Sequence, residues 1–501
     1  MDRKETPSPV DATPPPASSK EVEPPRPFSI YTRNEKWMIV SLIAFAGLFS
    51  PLTANIYFPA IPTLVQEFHK STELINLTVT MYIIFQGLAP MLWGTLSDQW
   101  GRRPIYMACL FVLAMSCVGL ALVPTNAYWL LMLLRCFQAA GSASTIAIGA
   151  GVIGDISTRA ERGGFYGLFT MGPLVGPAIG PVIGGLLAGH LGWRSIFWFL
   201  CIAASVCFII LVLFLPETLR LLVGDGSIRP PLIYRPIIPI VGRKVHQQRP
   251  DPAEETRKKF QNPLLLLIQI DILNLLCISA LACAVFYSVL APISTLLMET
   301  YPFLDETKIG LCFLGIGFGM VIGSSITGRF LDRQYAAIKA QHLKKRRNSG
   351  TSETEGGNND VDLSFPIERA RLQWIPIPIL LMVGCSAGYG WCIQKGVNLA
   401  APLILQVLVG LLAISAMNPV QTLMIDLVPK QSSSVTACNN LVRCTLSAVI
   451  VALVDVIIQA VGTGWTYVIM SGMSLACLPL VFVAIKIGPR CREKRRNATH
   501  S

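Results

Sequence analysis

The sequence predicts an all-α polytopic membrane protein with twelve transmembrane helices in two six-helix, pseudo-symmetric halves. Three observations lead there. The 501 residues are 52% hydrophobic and 14% charged, whereas a soluble chain carries about a quarter charged residues. Apolar runs of roughly 20 residues, long enough to span a bilayer, recur along the chain. Basic residues crowd every second loop and leave the alternate loops nearly bare, the pattern of an even number of spans with both termini in the cytosol.

The spans follow in order. Buried in lipid, each apolar run must satisfy its own backbone and so is read as a helix. In the first half they cover about 37–62, 74–95, 105–123, 127–153, 163–189 and 194–215. In the second they cover 266–296, 308–330, 374–394, 397–427, 433–461 and 464–487. No cleavable signal peptide is evident, so the first span is expected to serve as its own signal. Basic residues stand before span 1 (Arg26, Arg33, Lys36), in the second loop (Arg102, Arg103) and in the fourth (Arg159, Arg162). They return in the sixth (Arg243, Lys244, Arg257, Lys258, Lys259), the eighth (Lys344, Lys345, Arg346, Arg347) and the tail (Arg490, Arg492, Lys494, Arg495, Arg496). This alternation accounts for the net charge of +12 without a nucleic-acid partner. The basic loops suit anionic lipid.

Composition sets the divisions. Residues 1–33 are rich in Pro, Ser and Thr and are expected to be a disordered cytosolic N-terminus. The N-terminal half covers 34–216, a polar cytosolic linker 217–263, the C-terminal half 264–488 and a basic cytosolic tail 489–501. A polar insertion, 333–372, separates spans 8 and 9, and its core from Lys344 to Asp362 is read as disordered. Arg346-Arg347-Asn348-Ser349 has the form of a basophilic kinase site, against the plainer reading of a solvated loop. An internal echo supports two related halves. Gly94 and Asp98 close span 2, and Gly328 and Asp332 close span 8 at the same spacing.

The 14 Cys fall almost entirely inside predicted spans and form no C-x-x-C pair. They are read as small packing residues, with no metal site and no disulfide. Cys491, among arginines just past the last span, is a palmitoylation candidate. Asn76-Leu77-Thr78 is a glycosylation sequon lying very close to span 2.

Five groups of residues carry candidate chemistry. The turn Gly94-Thr95-Leu96-Ser97-Asp98-Gln99-Trp100-Gly101-Arg102-Arg103-Pro104 is a tight charged loop between membrane-length helices. Gly94 and Gly101 permit close approach and sharp turning, and Asp98 has Arg102 or Arg103 as partner. Ordinary topogenic charge is the alternative. In span 5, Gly172-Pro173, Gly176-Pro177, Gly180-Pro181 and Gly184-Gly185 place glycines four apart. That spacing makes one smooth helix face for close packing, while each proline removes a donor and bends the helix. In span 4, Arg135 is a charge inside the membrane, which defaults to function; the alternative is an arginine that snorkels to the interface. Acidic candidates for proton exchange are Asp455 in span 11, Asp271 early in span 7 and Asp426 at the end of span 10, the last two near the cytosolic face. Asp455 is the deepest and is preferred. Span 1 offers no acid, since residues 50–59 are polar but neutral. Asn55, Tyr57, Gln138, Phe286, Tyr287, Asn418 and Asn439 are the candidates to line a midplane cavity, with plain packing as the alternative for each.

The 94–104 turn resembles the G-x-L-S-D-x-x-G-R-R-P/K loop between helices 2 and 3 of the major facilitator superfamily. That resemblance implies the major facilitator fold. It also implies a latch in which Asp98 meets the N-terminus of helix 11 when the cytoplasmic side is closed. Asp332 holds the equivalent place in the second half. The span 5 repeat resembles the antiporter signature of exporters in this superfamily. Arg135-x-x-Gln138 resembles the R-x-x-Q-G-x-G pattern whose Arg is tied to proton coupling, with Ala139 in place of the first Gly. Three further stretches, Leu215-Pro216-Glu217-Thr218-Leu219-Arg220, Leu191-Gly192-Trp193-Arg194 and Asn439-Asn440-Leu441-Val442-Arg443-Cys444, resemble fungal twelve-span drug:proton antiporters of the quinidine-resistance type.

The resemblance implies a monomeric plasma-membrane efflux antiporter that works by alternating access. It would exchange protons for drugs, organic acids, polyamines or secondary metabolites, using the proton gradient and no cofactor. A proton-driven importer or facilitator and a non-transporting membrane sensor are the rivals. An enzyme is not expected, because no nucleophile–base pair, phosphate loop or metal spacing stands out.

Overall fold

A computed structural model describes residues 28–158, 161–239, 263–348, 366–428 and 432–500. Among them, twelve helices are long and apolar enough to cross a membrane. In the first half they are α1 (Arg33–Phe68), α2 (Thr72–Trp100), α3 (Arg102–Leu122), α4 (Tyr128–Ile156), α5 (Gly164–Leu191) and α6 (Arg194–Phe214). In the second they are α7 (Ile270–Thr300), α8 (Glu306–His342), α9 (Ile367–Gln394), α10 (Ala400–Leu427), α11 (Ser434–Val461) and α12 (Thr463–Glu493).

Local chemistry sets the ends. Thr32 and Glu35 form a capping box at the start of α1: the Thr32 N–H donates to the Glu35 carboxylate at 2.8 Å and the Thr32 hydroxyl accepts from the Glu35 N–H at 3.4 Å. The regular helix of α1 stops at Asn55 and resumes at Ile61 after a short turn, Phe58–Ala60. Pro59 and Pro62 lack the N–H groups a continuous helix needs there. The break places Tyr57 deep between α1 and α4.

Two elements run far past their expected ends. The α8 helix continues to Asn348 instead of stopping near 330. Its extension, with Ala336, Ala337, Lys339, Ala340, Gln341, Leu343 and Lys344, is rich in strong helix formers, a signal that hydropathy does not carry. The expected polar insertion therefore begins as helix, and Lys344–Asn348 are helical where disorder was expected. Ser349 lies outside the described residues. The last helix likewise reaches His500, so the basic tail prolongs α12.

The halves repeat one another. In the first, α1 packs on α4 and α5, α2 on α4, and α3 on α4 and α6. In the second, α7 packs on α10 and α11, α8 on α10, and α9 on α10 and α12. The repeat extends to ion pairs. Arg102 of α3 holds Asp155 of α4 at 3.0 Å, and Arg371 of α9 holds Asp426 of α10 at 3.0 Å. Asp426 is thereby committed to a strut within one half, near the same end of the bundle as the N-terminus and the 100–102 turn. We call this end the basic end and the opposite one the far end. The halves meet along two seams, α5 with α8 and α2 with α11.

Candidate functional site: seams, a sealed arginine and a midplane arginine

The far end is closed. Across the α2–α11 seam the Asn76 amide donates to the Asp455 carboxylate, and the Gln459 amide donates to Glu73. Beside the α5–α8 seam, Thr63 donates to Glu306 at 2.9 Å, and Phe58 stacks on Phe313 with centroids 6.1 Å apart. At the basic end no hydrogen bond or ion pair joins the halves among the described residues. A Cβ added to Gly94, Gly164, Gly167 or Gly328 would meet nothing within 4 Å.

The 94–104 turn is built within the first half. Gly101 has φ +107°, and a side chain there would collide with Glu217. The Glu217 carboxylate accepts four backbone N–H groups, from Arg102 (2.9 Å), Arg103 (3.1 Å), Thr218 (2.9 Å) and Leu219 (2.9 Å). A carboxylate at the start of α3 also suits the helix dipole. Arg103 donates to the carbonyls of Leu215, Val212 and Ile233 at 2.6–2.9 Å, pinning the end of α6 and the stretch after it. The first part of the expected linker is thus docked on the first half. Asp98 pairs with Arg102 at 2.6 Å. Its side chain is 63% exposed, and among the described residues no hydrogen bond or ion pair joins it to α11. The side chain of Asp332 lies outside the described residues. Nearby, the Lys36 ammonium holds Glu161 at 2.9 Å and keeps its carboxyl below the usual carboxylate range.

The span 5 motif divides between two partners. Along one face, Gly172 lies against the Ala44 carbonyl, Gly176 against Pro51, Gly180 against Asn55 and Ile56, and Gly184 against the Ile56 carbonyl, all on α1. Around the helix, Pro181 and Gly185 lie against Gly310 of α8, and Ala178 lies against Gly317. Pro173, Pro177 and Pro181 all sit within one continuous helix, Arg162–Leu191. One stripe therefore fixes α5 inside its half, and a second forms the seam with α8.

Arg135 does not snorkel. It is fully buried, its guanidinium carbon 4.1 Å from the Tyr57 ring centroid and 4.3 Å from that of Tyr82. It donates to the Gln138 amide oxygen at 2.6 Å, while its Nε and Nη2 have no hydrogen-bond acceptor among the described residues. The rings are held in turn, Tyr57 by Thr78 at 2.9 Å and Tyr82 by Ser142 at 2.8 Å. Tyr57 and Gln138, expected on a cavity wall, instead enclose this charge inside the first half. Asn55 bonds back to the Pro51 carbonyl at 2.6 Å, beside the α5 stripe. Asp271 is buried near the basic end, close to Glu368. Asp455 lies in the far-end seam.

Of the remaining cavity candidates, Phe286 and Tyr287 form a T-shaped pair 5.6 Å apart. Asn439 is buried with its Oδ1 unpartnered, and Asn418 is half-buried on α10. The residues beside Tyr287 went unread as site residues: Arg443 and Asn440 on α11 and Gln86 on α2. Arg443 donates to Asn440 at 3.1 Å, and Asn440 donates to the Gln86 carbonyl across the seam at 2.9 Å. The signal was present, since Arg443 is a charge inside an apolar span just as Arg135 is.

Comparison with known proteins agrees with this geometry. Residues 43–348 match the family model described as Major Facilitator Superfamily. The chain is 37% identical over 478 residues to citrate exporter 1 of Aspergillus niger, covering 94% of this chain and 89% of that one. It is 35% identical to the MFS antiporter QDR2 of Candida albicans (93% and 91% covered) and 33% identical to quinidine resistance protein 1 of Saccharomyces cerevisiae (94% and 86%). Among solved structures it superposes on a bacterial homologue of the human lysosomal transporter Spinster, with TM-score 0.59, 13% identity and 92% and 98% of the two chains covered. It also superposes on the human organic anion transporter MFSD10, with TM-score 0.53, 17% identity and 89% and 99% covered. The chain is a multi-pass membrane transporter that belongs to the major facilitator superfamily, with the fungal drug antiporters of the quinidine-resistance type as its relatives.

Proposed function

We propose that this transporter is a proton-coupled efflux antiporter of the plasma membrane. Its basic end faces the cytosol, and it exports small organic molecules by alternating access as a monomer. The observation that carries the reading is the Asp455 carboxylate buried in the far-end seam. Closing that seam removes a carboxylate from water with one amide as its hydrogen-bond partner, which is costly for an ionised group and far less so for a protonated one. A proton taken up at Asp455 when the far end is open would therefore favour closure there and return of the carrier to the conformation seen here. Direction is supported by the relatives, named as exporters and antiporters, and by the double-faced α5 stripe.

In this cycle Asp98 and Gly94 wait at the open basic end. They would engage α11 when the cytosolic side shuts and the cargo is released outside. The test is efflux of labelled compounds from cells lacking other pumps, with and without a protonophore. Efflux that collapses with the protonophore is expected. Efflux that ignores it would remove proton coupling, and net uptake would reverse the direction.

A further inference from the structure

The stretch after α6, residues 229–239, carries an exposed apolar patch that the transport cycle does not use. Leu232, Ile233 and Ile237 are 80%, 76% and 66% exposed, and Ile238 is exposed beside them. Large aliphatic side chains gathered in this way mark an interaction surface. Their backbone is held in place. The Ile233 carbonyl accepts from Arg103 at 2.6 Å, and the Pro230 carbonyl accepts from Arg235 at 2.6 Å. Four of the eleven residues are prolines, so the stretch cannot wind into a helix that would turn the patch inward.

Three observations set the depth of this patch in the membrane. First, the N–H groups of Ile237 and Ile238 donate to the carbonyls of Val212 and Leu213, at 3.4 and 2.9 Å. Those carbonyls belong to the last turn of α6, where a helix leaves its acceptors open. Along α6, Trp198, Ile202, Val206 and Ile209 are exposed at spacings of four, four and three residues, a single helix face. On an apolar span that face meets lipid, and the patch begins where the stripe ends. Second, the Tyr234 ring lies against Gly101, and the adjacent Trp100 is 60% exposed. Tyr and Trp gather at the boundary between acyl chains and water. Third, from Gly226 to Pro239 the chain carries Arg229 and Arg235 and no acid. Cations at that depth are favoured by headgroup phosphates.

We infer that residues 229–239 dip into the phospholipid leaflet at the basic end. Leu232, Ile233 and Ile237 enter the upper acyl chains, and Arg229 meets the phosphates above them. The linker between the halves thus begins as an interfacial anchor and not as a free cytosolic strand. Through Arg103 and Tyr234 the anchor is tied to the 94–104 turn. The inference rests on the fold and not on the direction of transport.

The test uses the full-length protein in nanodiscs of phosphatidylcholine and phosphatidylserine. A fluorescent amino acid replaces Leu232 or Ile237, with Lys344 on the α8 extension as the control position. All three side chains are exposed, so the fold should be retained. Lipids brominated near the upper end of their acyl chains should quench the fluorophore at 232 and 237. Lipids brominated near the terminal methyl should quench it less, as expected for a shallow insertion, and aqueous iodide should quench it weakly. At 344 iodide should quench strongly and the brominated lipids should not. Strong iodide quenching at 232 and 237 without lipid quenching overturns the inference, because the patch is then in water. Protection from both quenchers overturns it too, because protein, the rest of the linker or a second copy, then covers the patch.

Discussion

The amide of Asn76 on α2 donates to the carboxylate of Asp455 on α11, joining the two halves of the transporter at its closed end. On the proposed cycle, this contact would tie the opening of the seam to the protonation of Asp455: opening the far end would break it and expose the acid to water, and closing would bury the acid again.

Asp455→Asn mimics the protonated form and cannot release a proton. We expect it to abolish proton-driven uphill export while sparing exchange of labelled for unlabelled cargo. Measured side by side in proteoliposomes, retained uphill export would place the coupling acid elsewhere, with Asp271 the next candidate.

The two glycine sets should behave oppositely. A side chain at Gly184 runs into the Ile56 carbonyl, so Gly184→Val should destabilise the fold by about 1–3 kcal/mol through overpacking and lower the unfolding temperature. Gly94 faces open space here. Gly94→Val should fold normally and yet slow export, because the closed basic end has no room for it. Normal export by Gly94→Val would exclude a close α2–α11 approach there.

Asp98→Asn should insert and fold, since its exposed pairing with Arg102 contributes about 1 kcal/mol at most, but cycling should suffer. Wild-type export rates in this variant would reduce Asp98 to a topogenic charge.

Glu217 is a structural prediction. Glu217→Gln replaces an oxygen that accepts backbone N–H groups with an NH2 that cannot. Loss of the charge-assisted bonds should cost about 1–3 kcal/mol, read as a lower unfolding temperature. An unchanged midpoint would mean that water replaces the carboxylate.

Arg135→Lys keeps the charge and loses the planar stack between Tyr57 and Tyr82. Arginine and lysine are not interchangeable at such a site, so export should fall by about tenfold or more, the equivalent of ~1.4 kcal/mol in the barrier. Equal rates would show that any cation suffices.

Much of this was legible in the chain. The spans follow from hydropathy, and the Gly101 turn and the α5 stripe from spacing. The remaining features depend on properties that hydropathy does not carry. The α8 extension is set by helix propensity, to which an apolar count is blind. Tyr57 and Gln138 resemble cavity residues because they are polar and near the midplane, but the α1 break and the α4 helix turn them onto Arg135. Arg443 was passed over inside a longer motif, though its charge marked it.

The sequence by itself determined that this is a twelve-span membrane protein, where its spans lie, and to which superfamily it belongs. Hydropathy, charge alternation and turn chemistry are local properties that act within one or two helix lengths. The tertiary structure alone decided which end is shut, that Arg135 is sealed while Arg443 faces a seam, and that Asp455 meets Asn76. Those outcomes depend on which helix faces come together. Close-packed small residues from segments far apart in the chain, such as Gly184 against Ile56, Gly185 against Gly310, and Gly87 against Cys444, set that choice.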